Sequence, residues 1–191
     1  MRLRIPDPSL VVLCGPAASG KSTFAHRHFI ETAIVSSDRC RAMIADDERN
    51  IAVSREAFAL FHQIIESRLR YRRLTVADST ALQADARRTL RQLAGRMEIP
   101  AVLIVFDLQE ETCCQWDERR SRRVGRPVIH QQWTRLQQAL RQVHEEGYSQ
   151  VVMLGEAELS KTRVEIVRAP AEAEGGSPIP NPVVRRKGDV D

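Results

Sequence analysis

The sequence has few cysteines, few aromatic residues and no long hydrophobic run. Of its 191 residues, four are cysteines and nine are Phe, Tyr or Trp. The cysteines form no C-x-x-C pair and no histidine pair has zinc-ligand spacing, so neither a disulfide framework nor a zinc site is predicted. No apolar run approaches the roughly 20 residues of a membrane helix. We therefore expect no membrane partner, a cytoplasmic location, and thiols that pack as small core residues.

Lysine is also scarce. Three of the 29 basic residues are lysines and the other 26 are arginines. The net charge of +4 is too small to establish nucleic-acid binding by itself. An arginine excess can come from coding bias alone, so the positions of these charges decide what they mean.

Short apolar runs alternate with longer amphipathic segments. Runs without polar alternation are typical of parallel strands buried on both faces. The strands are predicted at residues 9–14, 33–36, 75–77, 101–106 and 150–154. Alternation of strands and helices predicts an α/β fold, with a mostly parallel central sheet of about five strands flanked by helices.

Three apolar stripes at helical spacing predict helices whose default role is core packing. They are Phe58, Phe61, Ile65 and Leu69; Leu82, Ala86, Leu90, Leu93 and Met97; and Ile129, Trp133, Leu136, Leu140 and Val143, with Gly147 as the predicted stop of the third. Residues 1–168 are predicted to form one domain. Residues 169–191, rich in proline and glycine, are predicted to form a flexible tail.

A phosphate-binding loop is the strongest signal in the sequence. Residues 15–22 match G-x-x-x-x-G-K-[ST] between a predicted strand and a predicted helix. Glycines let backbone N–H groups surround phosphate oxygens, and the helix N-terminus favours negative charge. Lys21 would act on the β- and γ-phosphates and Ser22 on Mg²⁺. The residues predicted to bind ATP or another NTP are Gly15, Pro16, Ala17, Ala18, Ser19, Gly20, Lys21, Ser22 and Thr23.

The loop leaves the fate of the phosphate open between a kinase and a nucleotide-driven switch or motor. Asp38 follows the second predicted strand, where a carboxylate can accept a proton from an acceptor hydroxyl. Arg41 lies one helical turn further on and can hold a phosphate. The alternative is an Asp N-cap followed by a solvated arginine. Asp78 ends the third predicted strand and could hold Mg²⁺ through water, position the acceptor or cap a helix.

Five arginines fall within the eight residues 119–126. Such a run is usually a solvated surface. Here it lies where P-loop kinases carry a mobile lid, in which arginines neutralise the transferring phosphoryl group. We therefore predict an arginine-rich lid.

Together, these motifs resemble the kinase domain of the bacterial polynucleotide kinase-phosphatase of RNA repair, and more loosely the phage polynucleotide kinases. The resemblance covers about residues 1–168, from the phosphate loop through Ser-Ser-Asp-x-x-Arg and Asp78-Ser79-Thr80 to the arginine lid. It implies a P-loop kinase that uses ATP or another NTP with Mg²⁺ to phosphorylate 5′-hydroxyl ends of RNA or DNA. It further implies that Asp38 is the general base, that Arg41 contacts the acceptor's 3′-phosphate, and that Arg120 and Arg123 hold the NTP phosphates.

The sequence departs from the family pattern at two places. Trp116-Asp117 stands where the family usually has Arg-Asn, so either Arg119 or Arg122 replaces a phosphate ligand or the γ-phosphate is held less tightly. Ala81 stands where an asparagine is common. The sequence shows no counterpart of the phosphatase and ligase of full-length members. We therefore expect a stand-alone kinase module that acts with separately encoded repair enzymes.

Two other functions remain open at this point. One is a P-loop kinase for a small-molecule or sugar-nucleotide hydroxyl, similar to the zeta toxins. The other is an ATP-binding regulatory module without kinase activity. Because the sequence has only two Trp and two Tyr residues, nucleic-acid recognition is expected to depend on phosphates more than on bases.

Overall fold

The computed structural model of the protein describes residues 1–168; the predicted tail, residues 169–191, lies outside the described residues. Every strand pairing in the described part is parallel. The strands are β1 (Arg2–Asp7), β2 (Leu10–Cys14), β3 (Ile34–Ser36), β4 (Thr75–Asp78), β5 (Ala101–Phe106), β6 (Gln150–Leu154) and β7 (Arg163–Arg168). The helices are α1 (Lys21–His28), α2 (Ser37–Ala45), α3 (Ser54–Arg70), α4 (Ala84–Gly95), α5 (Glu110–Glu118), α6 (Arg126–Leu140) and α7 (Glu156–Lys161).

Five strands form the central sheet in the order β3-β4-β2-β5-β6. All five predicted strands are present, with ends shifted by one residue at most. Strands β2 and β5 are buried along their whole length, which explains their unbroken apolar sequences. The prediction of an α/β fold with a mostly parallel sheet flanked by helices is confirmed.

Two hydrophobic cores cover the two faces of this sheet. On one face, α3, α4 and the second half of α6 contribute residues such as Phe61, Leu90 and Leu136. On the other face, α1, α5 and the start of α6 contribute residues such as Phe24 and Ile129. All four cysteines are buried and unpaired, so the prediction that they are core thiols is confirmed.

The predicted helical stripes are correct in part. Leu82 and Met97 of the second stripe lie outside α4, which spans Ala84–Gly95. Phe61, Ile65 and Leu69 of α3 are at most 1% exposed, but Phe58 is 36% exposed and does not belong to the core. Helix α6 ends at Leu140, before the predicted stop at Gly147. A short 3-10 turn at Val143–Glu145 follows it, and this turn keeps Val143 buried without continuing the helix.

A second, two-stranded sheet of β1 and β7 was not predicted. Leu3 and Ile5 of β1 are buried against the α1 side of the main sheet. Their neighbours Arg2 and Arg4 are exposed, so only one face of the strand carries an apolar signal.

None of the helices within residues 1–168 combines the length and the hydropathy required to cross a bilayer.

Candidate active site

The phosphate loop joins β2 to α1 at the carboxyl edge of the central sheet. The Gly15 N–H donates to the carbonyl oxygen of Thr80 at 3.0 Å, which ties the loop to the segment after β4. A Cβ atom at Gly15 would lie 2.9 Å from Cβ of Phe106, so only glycine fits there. Gly20 has φ of 85°, in the left-handed region that glycine adopts without strain.

The N-terminus of α1 is free to bind an anion. Its N-cap, Gly20, has no side chain, and its first turn contains no acidic residue. The first N–H groups of a helix have no intrahelical partner and lie at the positive end of its dipole. This is the arrangement in which phosphate groups bind.

Gln132 of α6 holds the phosphate loop from the opposite side. Its Oε1 accepts a hydrogen bond of 2.6 Å from the Ala17 N–H. Helix α6 begins at Arg126, the last residue of the arginine-rich segment 119–126, so one helix connects that segment with the loop. No motif in the sequence marked Gln132, because its role depends on how α6 packs.

Lys21 is buried inside the phosphate loop. Its Nζ donates to the Pro16 carbonyl oxygen at 2.6 Å and to Ser19 Oγ at 3.3 Å. Burial lowers the pKa of Lys21, and the nearby negative charge of Asp78 opposes this effect. The amine therefore lies within the loop beside a carboxylate, in position to meet a phosphate bound there.

Asp78 ends β4 beside the phosphate loop and is buried. Burial raises the pKa of Asp78, whereas the positive charge of Lys21 and a hydrogen bond from Ser22 lower it. A carboxylate and a hydroxyl are hard oxygen donors, which Mg²⁺ prefers. Residues 1–168 contain no cluster of three or more His, Cys, Asp or Glu side chains. Ser22 and Asp78 thus fit a Mg²⁺ ion that takes its other ligands from phosphate and water.

Asp38 lies in the first turn of α2, after β3, and its carboxylate is half-exposed. The N-cap of α2 is Ser36, whose Oγ accepts from the Arg39 N–H at 3.3 Å. The alternative interpretation of Asp38 as the N-cap is therefore wrong. The Asp38 carboxylate is instead held by two arginines, by Arg41 through Oδ1 and by Arg122 Nη1 at 3.3 Å from Oδ2.

Arg41 connects α2 with α3. Its Nε donates to Ser54 Oγ at 3.4 Å, and its guanidinium lies 5.9 Å from the centre of the Phe58 ring. With its bond to Asp38, the side chain is fixed at three points. It is therefore a rigid cation beside the candidate base.

The arginine-rich segment runs from the end of α5 to the first residue of α6, and part of it faces the phosphate loop. Arg119, Arg120 and Arg122 line the cavity above the loop. Arg122 also forms an ion pair of 2.5 Å with Glu48. Arg123, which the sequence suggested as a phosphate ligand, is exposed and does not line the cavity.

The residues Trp116 and Asp117 have structural roles in this segment. Asp117 is buried, and its carboxylate accepts from the Val124 N–H at 3.0 and 3.1 Å and from the Gly125 N–H at 2.9 Å. These bonds fold the arginine-rich segment back onto α5. Trp116 packs against the phosphate loop, with Cζ3 within 3.3 Å of the position of a Cβ on Gly20.

One cavity of about 570 Å³ joins these groups. Its floor is the phosphate loop with Lys21 and Ser22, and one wall carries Asp38 and Arg41. A smaller cavity of about 270 Å³ adjoins it and shares Ser22, Asp38 and Asp78 among its lining residues. The structure thus brings the predicted phosphate, metal and base residues to one place.

A family model described as an AAA domain, AAA_33, matches residues 10–143. The chain belongs to the AAA_33 family. The matched region begins at β2 and includes every residue of the cavity described above. A search of curated proteins gives no match to the chain.

Solved structures show that this AAA_33 domain has a P-loop kinase-like fold. The gluconokinase from Sinorhizobium meliloti 1021 matches with a TM-score of 0.52 and 19% identity, over 82% of this chain and 88% of that chain. Kti12 from Chaetomium thermophilum, in complex with ADP-AlF3, matches with a TM-score of 0.55 and 16% identity, over 80% of this chain and 94% of that chain. A chain of the AvrRxo1-ORF1:AvrRxo1-ORF2 complex matches with a TM-score of 0.62 and 16% identity, over 80% of this chain and 56% of that chain. This AAA_33 domain therefore spans little more than half of the AvrRxo1 chain.

Sequence reasoning missed three features of the AAA_33 site. They are the Gln132 bond to the loop, the contact between Arg122 and Asp38, and the exposed ring of Phe58. The first two join residues more than 80 positions apart. The ring of Phe58 was predicted to lie in the core, because Phe58 shares helical spacing with three residues that do.

Proposed function

We propose that this AAA_33 domain is an NTP-dependent polynucleotide 5′-hydroxyl kinase, which transfers the γ-phosphate of ATP or another NTP to a 5′-hydroxyl end of RNA or DNA. The observation that carries the proposal is the position of Asp38. Its carboxylate faces the same cavity as the phosphate loop and is bracketed by Arg41 and Arg122. A carboxylate and an arginine side by side suit an acceptor that carries both a hydroxyl and a phosphate, because the carboxylate can accept the hydroxyl proton and the arginine can bind the phosphate.

The donor half of the site is the phosphate loop. Backbone N–H groups at the start of α1 bind phosphate oxygens, and Lys21 neutralises the β- and γ-phosphates. Ser22 and Asp78 would hold Mg²⁺, which supplies charge neutralisation between the phosphates when it is bound. The hydrogen bond from the Ala17 N–H to Gln132 joins the phosphate loop to α6.

The acceptor half is formed by α2 and α3. Asp38 accepts the proton of the 5′-hydroxyl as its oxygen attacks the γ-phosphorus. The bond between that phosphorus and the bridging oxygen breaks, and the nucleoside diphosphate leaves with the electron pair. Arg41 is positioned to hold the 3′-phosphate of the same acceptor nucleotide, one helical turn from the base.

The arginine-rich segment closes the site over the transferring group. Arg119, Arg120 and Arg122 all line the cavity, and positive charge there stabilises the phosphoryl group in the transition state. In the structure Arg122 is bonded to Asp38 and Glu48. A nucleotide would compete for this arginine and so free the Asp38 carboxylate for the acceptor.

The solved structures support the donor half. Kti12 was solved with ADP-AlF3 and the AvrRxo1-ORF1:-ORF2 complex was also solved with ATP, so this fold accommodates nucleotides. The gluconokinase shows that the fold also serves an enzyme named for a small acceptor. The proposal that the acceptor is a nucleic-acid end therefore depends on Asp38 and Arg41. It is tested by letting nucleic-acid strands and small molecules compete for the phosphate.

The test is phosphate transfer from γ-labelled ATP with Mg²⁺ to 5′-hydroxyl RNA and DNA strands, in competition with a panel of sugars, nucleosides and sugar nucleotides. Labelled strands support the proposal, and a labelled small molecule with unlabelled strands overturns it. Lys21→Ala is expected to abolish transfer. Lys161→Ala is the matched control, because Lys161 is an exposed lysine of α7 outside the cavity. ATP binding without transfer to any hydroxyl would indicate a regulatory module.

A further inference from the structure

An exposed aromatic ring lies on the acceptor wall of the main cavity. Phe58 is 36% exposed although the next three members of its stripe on α3 are buried. It lines the cavity together with Ile51, which is 81% exposed. The other large hydrophobic side chains exposed within residues 1–168, such as Tyr71 at 68%, lie outside this cavity. Two exposed apolar side chains therefore lie together inside the cavity, where they offer an apolar surface to a ligand.

The ring is fixed relative to the candidate base. The Arg41 guanidinium lies 5.9 Å from the centre of the Phe58 ring, within the range of a cation–π contact. The same guanidinium is bonded to Asp38. The carboxylate, the cation and the aromatic ring therefore follow one another along the acceptor wall.

This order matches the chemistry of a terminal nucleotide. Its 5′-hydroxyl would meet Asp38, its 3′-phosphate would meet Arg41, and its base is the flat apolar group that remains to be placed. Aromatic side chains bind single-stranded bases by stacking, with little sequence preference, because every base has a π-face. Trp116 also lines the cavity, but it packs against Gly20 of the phosphate loop and so lies on the donor side.

We propose that Phe58, flanked by Ile51, is the stacking platform for the base of the acceptor's 5′-terminal nucleotide. The inference rests on the proposed function. The few aromatic residues in the sequence led us to expect recognition through phosphates more than through bases. With this platform, recognition depends on one base as well as on phosphates. It also makes Phe58 a specificity-determining residue that discriminates a nucleotide from a sugar or a sugar phosphate.

The test uses two 5′-hydroxyl strands that differ only at the 5′-terminal nucleotide, which carries a base in one and is abasic in the other. Stacking on an aromatic ring predicts that the wild-type protein prefers the base-bearing strand in kcat/KM by about 5- to 150-fold. Phe58→Leu should lower transfer to the base-bearing strand more than transfer to the abasic strand, and so bring that ratio to near one. Phe58→Tyr should retain the ratio, and so should Tyr71→Leu, the control just after the same helix.

The outcomes separate this inference from the proposed function. Transfer to neither strand overturns the proposed function, and the stacking platform with it. Equal transfer to both strands by the wild-type protein overturns only the platform. If Phe58→Leu lowers transfer to both strands equally, the ring acts through Arg41 and not on the base, and the inference is wrong. Because a wild-type ratio near one overturns the platform without any variant, the inference remains falsifiable even if a Phe58 variant fails to fold.

Discussion

Arg122 Nη1 lies 3.3 Å from Asp38 Oδ2, so the arginine-rich segment contacts the candidate base directly. The same guanidinium contacts Glu48 at 2.5 Å. Two carboxylates thus hold one arginine over the phosphate loop. Because Arg122 lines the cavity, we expect a bound γ-phosphate to compete with these carboxylates for it, and this exchange would couple nucleotide binding to release of the base.

The first prediction separates Arg122 from its neighbour Arg123. Arg122→Ala should lower kcat by about 10²-fold, the usual effect of removing one donor that stabilises transition-state charge. Arg123→Ala is the matched control and should remain near wild type, because Arg123 does not line the cavity. Steady-state kinetics of strand phosphorylation measures both. A larger loss from Arg123→Ala than from Arg122→Ala would show that the segment acts in a different arrangement.

The second prediction concerns the base. Asp38→Ala should lower turnover by about 10²- to 10⁴-fold, the contribution of a general base, and leave ATP binding intact. Asp85→Ala is a suitable control because Asp85 is an exposed acid in the first turn of α4. Calorimetric titration with ATP and a rate assay measure the two properties separately. Near-normal turnover of Asp38→Ala would exclude the role proposed for this carboxylate.

The third prediction is a dependence of stability on pH. Because burial raises the pKa of Asp78 above its ordinary value of 3.8, the folded protein binds this proton more tightly than the unfolded chain does. The ionised carboxylate therefore destabilises the fold above its folded pKa, and this effect disappears as the pH falls toward the unfolded value. Asp78→Asn should raise Tm at neutral pH, and the difference should shrink as the pH is lowered.

The same variant should lose Mg²⁺-dependent transfer, because an amide oxygen is a weaker ligand than a carboxylate. Thermal denaturation between pH 8 and pH 4, without nucleotide, measures the stability change. A lower Tm at neutral pH would mean that attraction to Lys21 outweighs the cost of burial.

The fourth prediction concerns the buried Asp117. Asp117→Ala removes the acceptor of two backbone N–H groups, at Val124 and Gly125. Loss of hydrogen bonds to a charged acceptor should lower the free energy of unfolding by about 1.5–3 kcal/mol. Urea denaturation measures the change, with the adjacent exposed Glu118→Ala as control. An unchanged midpoint would show that this carboxylate does not hold the arginine-rich segment.

The sequence predicted the central sheet because its strands carry unbroken apolar runs, which only strands buried on both faces can use. It predicted the phosphate loop because that site is local, with ligands from residues 15–22 and the helix that follows. Strands β1 and β7 were missed because each buries one face at most and pairs with a partner about 160 positions away. Such long-range pairing leaves no local pattern.

The remaining site residues depend on tertiary packing. Which arginine of residues 119–126 faces Asp38 is decided by Asp117, which turns the segment through its bonds to Val124 and Gly125. The sequence identified Asp117 only as a departure from a family pattern. Phe58 shares the spacing of Phe61 and Ile65, but its ring lies beside the Arg41 guanidinium at the cavity and not in the core. Neither effect has a signature in the order of residues.

The most direct measurement compares one strand in two forms, with a 5′-hydroxyl end and with a 5′-phosphate end, incubated with γ-labelled ATP and Mg²⁺. The account predicts that label enters only the 5′-hydroxyl strand, that the label is removed by a phosphatase specific for terminal phosphates, and that Asp38→Ala suppresses the transfer. Label in neither strand, or the same label in both, would contradict it.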